Sequence, residues 1–139
     1  EVEGVIAVAR NHPKASARSL AALRAEPWII MGPVQGPGAV VAQLFESYGI
    51  EPPLCKVTLD TVWSAIEMIS RTGFVGWVPK PIAESALERI RIVKVREALP
   101  PLKIGLITRV DTQLTTAARA LISAVRARSR QLQHSGEAG

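Results

Sequence analysis

The sequence predicts an α/β fold with a largely parallel sheet. Three observations carry this reading. Short apolar runs alternate with segments of helical periodicity nearly throughout the chain. The runs are too short for buried helices and rich in Val, Ile and Trp. Gly, Pro, Asn or Asp punctuates most of the junctions between them.

Taken in order, GVIAVAR (4–10) alternates and is β-branched enough for a strand, which the NHP turn ends. SLAAL reads as a short helical turn with Ser19 as its cap. WIIM (28–31) reads as a buried strand, followed by the loop GPVQGPG, whose Pro37 suits a helix first turn. AVVAQLFESYG continues as a helix, with Val40, Val41, Leu44 and Phe45 on one face and Gly49 as its C-terminal stop.

PLCKVTL (53–59) is the next strand, with Cys55 a small, half-buried hydrophobe. DTVWSAIEMISRTG is a helix capped by Asp60 or Thr61, with Val62, Ala65, Ile66 and Ile69 as its apolar stripe. FVGWV is a short strand buried on both faces, PIAESAL a helix opened by Pro81, and RIVKV (91–95) another strand. LKIGLIT (102–108) is the last expected strand. TTAARALISAVRARSRQL is the longest helix, capped by Thr115 and striped by Ala118, Leu121, Ile122 and Val125, and HSGEAG is a frayed tail. The expectation is a five-stranded mixed sheet flanked by helices, spanning residue 12 to about 95, with the last helix packed elsewhere.

Composition narrows the function. Hydrophobic residues make up 47% and charged residues 21%, which suits a packed globular chain rather than a disordered one. No apolar stretch approaches the roughly 18 residues of a membrane span, so no membrane partner is expected. One cysteine excludes an internal disulfide framework and suits a reducing, cytoplasmic compartment. The net charge of +5 is scattered except for Arg119, Arg126, Arg128 and Arg130 near the end. With one Tyr and two Phe there is little aromatic interleaving for stacking single strands, and the charge reads as a solvated surface.

Catalytic material is sparse. His12 and His134 have no second ligand at metal spacing, and neither a nucleophile elbow nor HExxH is present. No enzyme activity, metal or cofactor is expected. The strongest chemical candidate is the strand–loop–helix around GPVQGPG, where glycines permit close backbone approach and a helix N-terminus favours an anion. No Lys-Ser or Lys-Thr follows the loop, so it is not a P-loop. The Asp60–Thr61 helix start repeats the same arrangement after another strand.

The order VAR-NHP-KA, SLAAL-RAEPWII, VPKPIAE, LKIGLITR and LTTAARALISAV resembles the effector-binding domain of LysR-type transcriptional regulators. Arg10, His12, Pro13, Ser19, Leu20, Leu23, Pro27, Trp28, Ile29, Phe45, Gly49, Pro79, Ala117, Ala118 and Arg119 carry the match. The resemblance implies a periplasmic-binding-protein-like (type 2) domain of two Rossmann-like subdomains joined by crossover strands. It implies residues 1–10 as a crossover strand and 11–95 as effector-binding subdomain II. Residues 96–139 would be the returning crossover and the C-terminal part of subdomain I. The DNA reader, a winged helix-turn-helix, and part of subdomain I would lie outside this sequence, and the full-length protein would be a homodimer or homotetramer.

The implied function is sensing a small anionic effector, a carboxylate for preference, and passing the change to a DNA-bound oligomer. The alternative is the solute-binding receptor of a transporter, which shares the bilobal fold. The expected effector-binding residues are Gly32, Pro33, Val34, Gln35 and Gly36 of the first loop, Thr61 at the second helix start, Gly73 and Phe74 before the short strand, and Arg10 as a source of charge. Aligned on Pro79, the family's Gly-x-Gly falls on Thr72, Gly73 and Phe74, and the side chains of Thr72 and Phe74 would narrow or reshape the pocket.

Overall fold

The computed structural model describes residues 1–33, 35–36, 38–103, 105–108 and 113–136, with side chains through 129. It divides into two compact units, Glu1–Ile104 and Gly105–Gly139. The first unit contains a five-stranded sheet in the order β3-β2-β4-β1-β5. Its strands are β1 (Gly4–Ala9), β2 (Trp28–Met31), β3 (Cys55–Leu59), β4 (Val75–Pro79) and β5 (Ile90–Val93). β2 runs parallel to β3 and β4, whereas β1 is antiparallel to both β4 and β5. The mixed sheet expected from the sequence is present. Its fifth strand is residues 4–9, which lie inside the sheet rather than ahead of it.

Burial on two faces explains why the central strands read as continuous apolar runs. Every residue of β1 is buried, and so are Val75–Val78 of β4. On one face Ile6, Val8, Trp28, Ile30, Val75 and Trp77 pack with Val41, Leu44 and Phe45 of α1 (Ala39–Ser47). Trp28 and Phe45 meet edge to face, their ring centroids 5.3 Å apart. On the other face Val5, Ala7, Ile29 and Val78 pack with Ala65, Ile66 and Ile69 of α2 (Val62–Arg71) and Ala83 of α3 (Lys80–Glu84).

The helix ends follow their local chemistry. Gly49 takes φ +68°, so its N–H reaches Glu46 O at 2.9 Å and the Ile50 N–H reaches Phe45 O at 3.0 Å, a Schellman closure of α1. Thr61, not Asp60, caps α2: its Oγ1 accepts from the Ser64 N–H at 3.2 Å. In the second unit Thr115 caps α4 (Thr116–Gly136), accepting from the Ala118 N–H at 3.2 Å. That helix continues through residues 134–136, which the sequence suggested would fray.

Two expectations are corrected. LKIGLIT forms no ladder among its described residues. Only Leu102 pairs, in an isolated antiparallel bridge with Val2. Pro100 and Pro101 have no N–H to donate, so pairing cannot start before Leu102. Cys55 is exposed, because β3 is the sheet edge and only partly covered. The part of its thiol that burial does shield raises its pKa above the ordinary 9.0.

His12 shows what the NHP turn is for. It is buried, its Nδ1 accepts from the Lys14 N–H at 3.0 Å, and the remaining Nε2–H then donates to Gly73 O at 3.1 Å. His12→Ala removes both bonds at once, and we expect a loss of roughly 2 kcal/mol from the stranded backbone groups and the cavity. A thermal melt within a degree of wild type would show the turn holds without it.

Glu67 joins α2 to the segment after α3, accepting from Arg71 Nε and from Arg89 Nη1, the latter at 2.6 Å. The Arg71 hydrogen bond, then its charge, lowers the Glu67 pKa from the ordinary 4.5, with a smaller contribution from Arg89. A lowered folded-state pKa stabilises the protein fully above the ordinary value and loses that contribution as pH falls through the lower one. Glu67→Gln should therefore lower the melting temperature at neutral pH and lose that difference at pH 3. A difference that persisted unchanged in acid would assign it to packing.

Candidate functional site

The parallel strands β2, β3 and β4 deliver their carboxyl ends to one edge of the sheet, where ligands of open α/β sheets bind. Antiparallel β1 brings its amino end to the same edge, with Gly4 opposite Pro79. The edge therefore gathers the loop after β2, the start of α2, Lys80 at the end of β4, and Glu3–Gly4.

Gly32 turns the chain at φ +77°, a conformation that favours glycine, and its N–H donates to Leu59 O at 3.0 Å. The loop then folds on itself: the N–H groups of Gly36 and Gly38 both donate to Pro33 O, at 2.9 and 3.0 Å, and Ala39 N–H donates to Gly36 O at 2.9 Å. A methyl at Gly38 would lie 2.6 Å from Gly32 O, so this return demands glycine. These amides already have acceptors and do not form an open anion cradle. The loop instead offers the exposed Gln35 side chain. Val34 lies outside the described residues.

Thr61 is exposed at the same edge, its Oγ1 2.8 Å from Ser64 Oγ as well as capping α2. Lys80 supplies a cation here. Its Nζ donates to Glu3 Oε2 at 2.6 Å and its N–H to Glu3 O at 2.8 Å. The hydrogen bond to Glu3, then that carboxylate's charge, raises the Lys80 pKa above 10.5, so it is charged at neutral pH.

Beneath this edge lies a cavity of about 110 Å³, lined by Ile29, Ile30, Met31, Gly38, Val40, Val41, Trp77 and Leu102. It is far larger than the roughly 10–15 Å³ one water needs and smaller than the ~150 Å³ cavity that holds benzene. Trp77 is only 6% exposed, and its indole N–H is buried with no hydrogen-bond partner among the described residues. An unpaired buried donor costs about 1–3 kcal/mol. Trp28, on the same face, has no such deficit: its Nε1 donates to Leu23 O at 3.0 Å. A wider hollow of about 350 Å³ lies along α1, against Ala98, Leu99 and Pro100, and no charged residue lines it.

The sheet does not bring the sequence-derived residues together. Gly32, Pro33, Gln35, Gly36 and Thr61 share the carboxyl edge. Gly73 and Phe74 precede β4 and so lie at the opposite edge, where Arg10 follows the end of β1. Arg10 donates there to Glu88 O at 3.4 Å, and Gly73 O takes the His12 bond. Thr72 and Phe74 consequently do not narrow a pocket at the carboxyl edge. Lys80 and Trp77 stand where the sequence placed Arg10 and Phe74. The signal for both was the VPKP ending of β4, since a parallel strand's last residues reach the ligand edge. Among the described residues there is no group of three or more His, Cys, Asp or Glu placed to hold a metal. Nor is any helix among them long and apolar enough to cross a membrane.

A mixed five-stranded sheet flanked by helices is the fold of periplasmic-binding-protein-like (type 2) effector domains. Residues 1–130 match the family model of the LysR substrate binding domain, and the chain belongs to that family. The effector-binding domain of QuiR, solved with shikimate, superposes with a TM-score of 0.67 at 19% identity, over 88% of this chain and 58% of that one. HinK, a LysR family transcriptional regulator from Pseudomonas aeruginosa, gives 0.63 at 22%, over 91% and 45%. The effector-binding domain of BenM with benzoate gives 0.57 at 20%, over 68% and 45%. The chain thus spans less than two thirds of each of these structures.

Gly4 is the most exacting position of the edge. A methyl there would lie 2.4 Å from Trp77 Nε1 and 2.5 Å from Cε2. Gly4→Ala should cost about 1–3 kcal/mol by overpacking. Combining it with Trp77→Leu should recover part of that loss, so the pair of substitutions is non-additive. Strict additivity in chemical melts would mean the two residues are not in tight contact.

Proposed function

We propose that the chain is the effector-sensing part of a bacterial LysR-type transcriptional regulator, binding a small carboxylate at the carboxyl edge of its sheet. The observation that carries this reading is the carboxyl-edge cavity in a chain that matches the family over residues 1–130. Shikimate and benzoate, held by the QuiR and BenM domains, are both carboxylates with a compact ring. Thr61, Gln35 and Lys80 offer a hydroxyl, an amide and a cation for a carboxylate at the sheet edge that also carries the apolar cavity. The family match favours this reading over a transporter receptor.

In the full-length protein a winged helix-turn-helix reads DNA, in the cytoplasm, and a homodimer or homotetramer converts effector binding into altered operator geometry. The effector acts by binding one arrangement of the effector domain better than another, and only that difference in affinity shifts the equilibrium. Lys80 then exchanges its bond with Glu3 for one with the ligand carboxylate, so binding loosens the start of β1.

A thermal-shift screen of small carboxylates against the full-length regulator tests the reading. At least one should raise the melting temperature and change operator binding in a footprint. In that regulator Thr61→Val should lower the melting temperature through the lost cap, by about 1 kcal/mol. It should separately weaken the effector by roughly 0.5–1.5 kcal/mol, more with a charged acceptor. An unchanged effector response would remove Thr61 from the site, and a screen with no stabilising carboxylate would sink the reading itself.

A further inference from the structure

We propose that Glu3 makes this edge selective for amino acids: the ligand carboxylate takes Lys80, and the ligand ammonium takes the Glu3 carboxylate that Lys80 leaves. This rests on the effector-sensing reading above and names the class of carboxylate, one that brings its own cation.

The charges around Lys80 do not balance. Its Nζ donates to Glu3 Oε2 at 2.6 Å. Glu84 stands four residues on in α3, about one helical turn away. After the hydrogen bond and charge of Glu3, the charge of Glu84 also helps to raise the Lys80 pKa. Two carboxylates thus share one ammonium. A ligand bearing only a carboxylate meets that surplus of negative charge, and on taking Lys80 it leaves Glu3 without a partner. An ammonium on the ligand removes both penalties.

The backbone keeps Glu3 at the edge while Lys80 changes partner. Glu3 O accepts from the Lys80 N–H at 2.8 Å, and on one side of it Val2 and Leu102 exchange two N–H···O bonds of 2.9 and 2.7 Å. On the other side the Gly4 backbone lies against the Trp77 indole, where a methyl would come within 2.4 Å of Nε1. The exchange costs this segment one side-chain tie and leaves its backbone bonds. The charged atoms of Lys80 and Glu3 adjoin, and both side chains reach solvent. Their complement is a ligand whose own opposite charges adjoin, as they do when one carbon carries both the carboxylate and the ammonium. The cavity at the same edge, lined by Ile29, Ile30, Met31, Val40 and Val41, favours an aliphatic side chain on that carbon.

Isothermal titration of the full-length regulator tests this. The probes are leucine, isoleucine and valine, each against the same acid without its ammonium: 4-methylpentanoate, 3-methylpentanoate and 3-methylbutanoate. At least one amino acid should bind about fivefold more tightly than its parent, the range of an exposed, charge-assisted bond. Glu3→Gln should remove that preference by weakening the amino acid and tightening the parent, since Lys80 is then released from its own carboxylate. Each variant is read as a ratio between two ligands, so a general loss of stability does not imitate the result. The proposal is overturned if the parents bind as tightly as the amino acids, or if Glu3→Gln keeps the preference. Should other small carboxylates stabilise the regulator while these amino acids do not bind, this assignment fails and the effector reading stands. If no carboxylate of either kind does so, both fail.

Discussion

The placement of β1 between β4 and β5 is the constraint on which the rest of this structure depends. Its residues are buried on both faces, so they contribute to two cores at once: Ile6 and Val8 to the α1 side, Val5 and Ala7 to the α2 side. A polar residue at any of these positions would be buried with no solvent to satisfy it. The strand's backbone is used equally fully, with a ladder on each flank. Running against its neighbours, β1 also decides what reaches each edge. It takes Glu3 and Gly4 to the carboxyl ends of the parallel strands, and it carries Arg10 and the His12 turn to the far edge.

That arrangement separates structural polar groups from those available for binding. The far edge is closed: His12 joins Lys14 to Gly73, and Arg10 reaches the turn before β5. At the carboxyl edge the loop after β2 satisfies several of its amides internally, which removes the backbone as the main anion holder. The side chains this edge offers are an amide at Gln35, a hydroxyl at Thr61 and a cation at Lys80. The Lys80–Glu3 pair is exposed on both sides, so its strength is modest and a carboxylate can compete for it.

Much of the fold was legible because its signals are local. Thr or Asp before a helical stripe, Gly49 after one and Pro81 at a helix start each act through backbone geometry within a few residues. The double burial of β4 showed as an uninterrupted apolar run. The segment LKIGLIT failed for the opposite reason. Alternation shows only that one face could be buried, and a strand exists where a neighbour supplies hydrogen bonds. Among the segment's described residues, Val2 supplies them at a single position. Cys55 was misjudged on the same ground, since an edge strand and a covered one can share a pattern.

The sequence by itself determined the element types, the two apolar faces of the sheet, the helix caps at Thr115 and Gly49, and family membership through motifs spread along the chain. Only the tertiary structure decided which loops share an edge. That depends on strand direction, and strand direction leaves no mark on residue pattern: the alternation of β1 reads the same whether it runs with β4 or against it. For this reason Arg10, Gly73 and Phe74 looked like partners of the glycine loop and are not. Lys80 and Trp77 occupy that edge instead, because β4 is parallel to β2 and its last residues arrive where β2 ends.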